Sequence, residues 1–206
     1  LFLTLERGRV IFAAFFGLFL SFAFLAGHFQ TFLYSLFLIG LIFIYKIIVR
    51  RRELINLKTL KLAGAAGGVF LLLVAVQFLP TWQLTGQSAR AKISLELSQT
   101  ESLAPQSLWA LLKPNYNNVA FGGYYGPWDR TQNYLFVGIV TLILAGVGLF
   151  LARQTFAYFL GGAALLTAAY SLGRYFFVQP FFYKFTPLFN KIRAPSNMML
   201  LAEFAI

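Results

Sequence analysis

One histidine, six carboxylates and no cysteine are the chain's whole stock of imidazole, carboxyl and thiol groups across 206 residues. The histidine stands in Ala26-Gly27-His28-Phe29-Gln30-Thr31, a polar break in an apolar run that extends from Val10 to the basic cluster at Val49-Arg50-Arg51-Arg52. A zinc site built on two histidines is excluded by that inventory, and the missing cysteines exclude thiolate sites, thiol nucleophiles and disulfides. The carboxylates are Glu6, Glu53, Glu96, Glu101, Asp129 and Glu203, and no two form a close pair in sequence. Neither a GxxxxGK[ST] phosphate loop nor a GxGxxG turn after a strand is present. No cofactor and no metal is expected.

Three further clusters carry functional groups. Residues 115–135 read NYNNVAFGGYYGPWDRTQNYL, in which Tyr124, Tyr125 and Trp128 offer flat faces that stack on sugar rings or anchor at lipid headgroups. Asp129, between Trp128 and Arg130, reads as a reactive acid or as the N-cap of a following helix, with Gln132 completing a near capping box. Lys191 and Arg193 precede Pro195, which opens a helix. A guanidinium fork beside a helix start receives phosphate, and the plain alternative is snorkelling at the interface. Glu203, two turns into the last apolar run, is an acid at membrane depth.

What must position these groups is set by hydropathy. The chain is 59% hydrophobic, 18% aromatic and 11% charged, too apolar to cover a soluble surface. Several apolar runs have the length of a membrane-crossing helix. We expect an all-α, multi-pass transmembrane bundle of about six spans forming a single domain: 10–26, 31–49, 62–82, 131–152, 155–172 and a truncated 197–206. The first two spans share one 40-residue run and must reverse at Gly27-His28-Phe29-Gln30, where glycine permits the turn. The chain starts at Leu1 and stops at Ile206 inside an apolar run, so we read it as an internal piece of a longer protein.

The net charge of +11 is not a nucleic-acid signature, because the basic residues crowd short loops beside apolar runs. Arg7, Arg9, Lys46, Arg50, Arg51, Arg52, Lys58, Lys61 and Arg153 mark the cytoplasmic side by the positive-inside rule. The 27–30 turn and the long segments 83–130 and 173–196 then share the outer face, which also carries Arg90. Within 83–130, Lys92-Ile93-Ser94-Leu95-Glu96-Leu97-Ser98 alternates as an extended piece would, and Pro105 starts a helical turn suited to the interface. Gly64 and Gly68 form a GxxxG, while Gly161, Ala164 and Ala168 line a second small face; both read as packing seams.

The order of AGHFQTFLYSLFLI, LPTWQLTGQSAR, SLAPQSLWALLKPN, the Gly/Tyr-rich loop and IRAPSNMMLLAEFAI resembles the YfhO-like bacterial membrane proteins, which look like glycosyltransferases of the GT-C architecture. The resemblance covers most of the chain. It implies transfer of a sugar from a polyprenyl-phosphate carrier to a cell-envelope acceptor, on the outer side of the bacterial cytoplasmic membrane. The family's GHPQ-like turn is matched by Gly27, His28 and Gln30, with Phe29 where proline is common. Its RxPxR-like helix start is matched by Arg193 and Pro195, with Asn197 in place of the second arginine. By the same resemblance the catalytic acid belongs to an outer loop upstream of Leu1. Arg90, Arg130, Lys191 and Arg193 would then meet the phosphate, and His28, Gln30, Tyr124, Tyr125 and Trp128 the sugar, with Asp129 also in the expected substrate-binding set. A transporter or flippase for a lipid-linked substrate, and a non-catalytic membrane assembly subunit, are the alternatives.

Overall fold

The computed structural model describes residues 1–87, 93–118, 122–127, 130, 134–151 and 154–206. Among them every regular element is helical, as the composition led us to expect. The chain divides into two compact units, Leu1–Ser88 and Ala89–Ile206.

The first unit holds α1 (Phe2–Arg7), α2 (Val10–Leu25), α3 (Phe29–Leu54) and α4 (Leu57–Gln87). Two of its stretches, Phe29–Val49 and Leu57–Leu84, are long and apolar enough to cross a membrane, and most of their surface is exposed, which marks a membrane protein rather than a soluble core. The basic segment after Val49 is not a loop. α3 runs on to Leu54, only Ile55 and Asn56 intervene, and Asn56 Oδ1 accepts the Thr59 backbone N–H at 2.8 Å to start α4. α4 also continues through Pro80 to Gln87, past the expected end at 82. A proline removes one helical hydrogen bond, a loss that membrane helices tolerate.

α2 and α4 form the main helix pair of this unit. Their seam is Ala13 and Gly17 against Leu62, Ala66 and Val69, not the GxxxG at Gly64 and Gly68. A Cβ built on Gly17 would run into the Ala66 carbonyl, whereas no atom lies within 4 Å of a Cβ on Gly64 or Gly68. The GxxxG rotates away from α2 because Leu62 and Ala66, on the neighbouring face, carry the contact. α3 joins through aromatic rings: Phe32 stacks on Phe70 at 5.8 Å, and both lie edge-on to Phe24. Lys46 on α3 pairs with Glu6 on α1 at 3.0 Å and lies over the Phe2 ring. Glu6 is exposed while Lys46 is partly buried, so the pair is worth about 1 kcal/mol at most once solvent screening at the carboxylate is counted.

The second unit holds α5 (Leu95–Ser98), α6 (Ile139–Leu151), α7 (Thr155–Ser171), α8 (Val178–Phe185) and α9 (Met199–Ala205), with short 3-10 turns between them. Of the expected extended piece at 92–98, Leu95–Ser98 is instead a helical turn, because the Ser94 hydroxyl caps it by accepting the Leu97 N–H at 3.2 Å. Pro105 does open a helical turn, Pro105–Leu111. The expected fourth span narrows to α6, which starts at Ile139 after Gly138 at φ +94°. Its 13 residues span about 20 Å, less than a hydrocarbon core. Leu135 ahead of it is drawn into the core with Leu103, Ala110, Met199 and Ala202. The small face of α7 packs as expected: Ala164 and Ala168 lie on that core, and Gly161 faces Leu149 of α6.

Candidate functional site

The turn at Gly27 is built as the sequence predicts. α2 ends at Leu25, Gly27 takes φ +83°, and α3 begins at Phe29. His28 serves as the cap of α3: its Nδ1 accepts the Thr31 backbone N–H at 3.3 Å and lies 2.7 Å from Thr31 Oγ1. A backbone N–H can only donate, so Nδ1 presents its lone pair and Nε2 is the nitrogen directed elsewhere. Gln30 turns inward and donates from Nε2 to Tyr34 Oη at 3.1 Å, with Tyr34 itself buried. Within the first unit the two polar residues of the turn thus already have local partners.

The second unit contains the denser polar construction. Gln99 Nε2 donates to Gln179 Oε1 at 3.1 Å, and Gln179 Nε2 donates to Ser98 Oγ at 3.0 Å. Ser98 Oγ donates onward to the Leu95 carbonyl at 2.7 Å. Tyr183 Oη donates to the Ile93 carbonyl at 2.6 Å, so α8 is stitched along the 93–99 segment by two side chains. Ser102 Oγ donates to the Gln99 carbonyl at 2.6 Å and accepts the Arg174 backbone N–H at 3.0 Å. Arg174 Nη2 reaches the Gln99 carbonyl at 3.4 Å. Ser98, Ser102 and Gln179 are each no more than 1% exposed, so burial makes these bonds expensive to lose. Gln179→Leu leaves the Gln99 amide unsatisfied and is expected to destabilise the protein by about 1–3 kcal/mol. Thermal unfolding in detergent checks this, and an unchanged midpoint would mean that the network carries no stability.

Gly173 is where three segments meet. It sits at φ +52°, and a Cβ there would strike the Ser102 hydroxyl and come within 3.0 Å of Pro195 Cγ. Leu188 and Ala194 hold φ +70° and +57°, a conformation costly for L residues that survives only where the surroundings enforce it. Ile192, Ala194, Pro195 and Ser196 are buried, so the turn before α9 is fixed from both sides. Arg193 emerges from it exposed, with Lys191 half-buried two residues earlier. Pro195 opens the 3-10 turn Pro195–Met198 that leads into α9, as its position in the sequence implied. Because Gly173 abuts Pro195, the segments bearing Arg174 and Arg193 come together, and both side chains are exposed.

The remaining expected site residues are more scattered. Tyr124 Oη donates to the Pro127 carbonyl at 2.7 Å, which folds the Gly/Tyr loop on itself, and Tyr125 is 72% exposed. Arg130 is exposed. Arg90, Trp128 and Asp129 lie outside the described residues. Glu203 lies half-buried on α9. Sequence reading missed Arg174, Gln179 and the serines at 98 and 102. Gln179 had a signal, since it is a lone amide among Phe176, Phe177, Phe181 and Phe182, the same oddity that drew attention to Gln30.

Chemically, the junction brings together two chain segments that each carry an exposed arginine, a side chain able to make paired hydrogen bonds to phosphate or carboxylate oxygens. No family model, no curated protein and no solved structure matches the chain.

Proposed function

We propose that this chain belongs to a membrane glycosyltransferase that moves a sugar from a polyprenyl-phosphate carrier to a cell-envelope acceptor on the outer side of a bacterial cytoplasmic membrane, within a GT-C-like bundle of about six spans. The reading is supported by the order of the motifs and by one observation in the structure, the pairing of the Arg174 and Arg193 segments at Gly173 and Pro195. A glycosyl phosphate donor leaves its phosphate as the anion, and charge develops there in the transition state. Fixed guanidinium groups stabilise such charge without reorganising at the moment of reaction. The exposed ring of Tyr125, in the same unit, is an aromatic face of the kind that packs on a pyranose.

In the full-length protein, reconstituted with a polyprenyl-phosphate sugar, Arg193→Ala is expected to lower transfer roughly 10- to 100-fold, the equivalent of one charge-assisted hydrogen bond. Arg193→Lys should recover only part of it, because an ammonium restores the charge and not the fork. Arg174→Ala should fall in the same range. Membrane insertion, followed by extraction and size-exclusion profile, stays as in the parent. Unchanged transfer in both alanine variants would remove the pair from the site. Carrier translocation across vesicles without sugar transfer would replace the reading with a flippase.

A further inference from the structure

α8 is built inside out for a helix in water. Two of its polar side chains, Gln179 and Tyr183, face the protein and make their hydrogen bonds to the 93–99 segment. Phe182 packs there too, edge-on to Tyr170 at 5.7 Å. The opposite face carries Phe177, Phe181 and Phe185, one helical turn apart, which are 71%, 55% and 62% exposed. Phe181 and Phe185 lie 4.8 Å apart, so the stripe is continuous. Lys184 borders it with its ammonium 5.4 Å from the Phe185 ring centre.

A solvated surface helix shows the reverse pattern, with its apolar stripe turned to the core. The outward stripe therefore calls for an apolar medium, and the charge pattern says which one. Residues 173–196 contain Arg174, Lys184, Lys191 and Arg193 and no carboxylate. Phenylalanines whose own segment carries only cations match the acyl boundary under anionic headgroups, where rings enter the hydrocarbon and lysine stems reach back to the phosphates. α8 is also too short to cross a bilayer, at 8 residues, so on a membrane it would lie along the surface.

We infer that α8 is an interfacial membrane helix whose Phe177, Phe181 and Phe185 dip into the acyl boundary of an anionic bilayer surface, with Lys184 on the lipid phosphates. This inference is independent of the glycosyltransferase reading, since it concerns how the second unit is seated on lipid.

The chain has no cysteine, so single-cysteine labelling needs no background substitutions. Phe177→Cys, Phe181→Cys and Phe185→Cys, each spin-labelled in the full protein, would be reconstituted in phosphatidylcholine vesicles with and without phosphatidylglycerol. Power-saturation EPR then compares collisions with oxygen and with a nickel chelate. We expect oxygen to win over nickel at all three sites, and a label at exposed Glu96→Cys to show the opposite. Phosphatidylglycerol should increase the apparent depth at Phe181→Cys, and adding Lys184→Gln should cancel that increase. Labels open to nickel at the three sites would overturn the inference in favour of an aqueous face. Immobilised labels reached by neither reagent would overturn it in favour of a protein partner. Depth that ignores phosphatidylglycerol would overturn the anionic-lipid assignment. These positions are exposed, so the substitutions remove no core packing, and a matching unfolding midpoint confirms that each variant is folded.

Discussion

Gly173→Ala is expected to lower the stability of the protein by about 2–4 kcal/mol, as the sum of a left-handed backbone penalty and overpacking at a closed junction. Gly173 has φ +52°, where an L side chain is strained whatever the available space. The added Cβ would also meet the Ser102 hydroxyl, which is fully buried and held between the Gln99 carbonyl and the Arg174 N–H. On the far side Pro195 cannot yield, because the turn that carries it is buried and follows a residue already at φ +57°. The two causes can be separated by a double-mutant cycle with Ser102→Gly, which clears the space and leaves the backbone penalty. The double variant should be less destabilised than the sum of the single ones. Wild-type stability for Gly173→Ala, measured by thermal unfolding in detergent, would show that the junction is not closed. Since the segments bearing Arg174 and Arg193 meet at this junction, the proposed sugar transfer should fall along with stability.

Gly17→Leu is the corresponding test in the first unit. Gly17 faces the Ala66 carbonyl, a backbone atom inside α4 that cannot rotate aside as a side chain would. The substitution must push α2 off α4, breaking the contacts of Ala13, Leu62 and Ala66 and costing about 1–3 kcal/mol or more. Gly64→Ala supplies the contrast. It adds a methyl group where no atom lies within 4 Å and replaces a helix-weakening residue, so it should be neutral or stabilising by up to about 1 kcal/mol. If Gly64→Ala were the damaging change and Gly17→Leu the silent one, the α2–α4 seam would be misassigned.

The contrast between these glycines shows how legible the packing was. Gly64 and Gly68 have the spacing of a helix-packing motif, yet the seam runs through Ala13, Gly17 and Ala66. Spacing identifies a face narrow enough for close approach, but which face is used depends on the rotation of both helices, and that is settled by larger neighbours such as Leu62. The small face of α7 was read correctly because Gly161, Ala164 and Ala168 coincide with the side that Leu149 and the Met199–Ala202 core require.

The site was legible in parts. His28, Gln30 and Arg193 stand out as polar residues in apolar surroundings, and Pro195 announces a helix start. Their structural uses were less visible. His28 caps α3 and Gln30 bonds to Tyr34, both within one helical turn. Arg174 went unnoticed because its value comes from Gly173 meeting Ser102 and Pro195, which lie far from it in sequence.

The sequence by itself determined the helical class, the two long apolar helices, the reversal at Gly27-His28 and the cationic character of 173–196. Each of these follows from run length, local turn chemistry or charge count, properties that survive in any stretch of chain considered alone. Only the tertiary structure decided that Gly17 and not Gly64 is the close contact, that α6 begins at Ile139, that the segments of Arg174 and Arg193 meet at Gly173 and Pro195, and that α8 turns Gln179 and Tyr183 inward. Those outcomes rest on pairings between residues tens of positions apart, such as Gln179 with Ser98, where the cost of an unpaired buried group fixes the orientation of an entire helix.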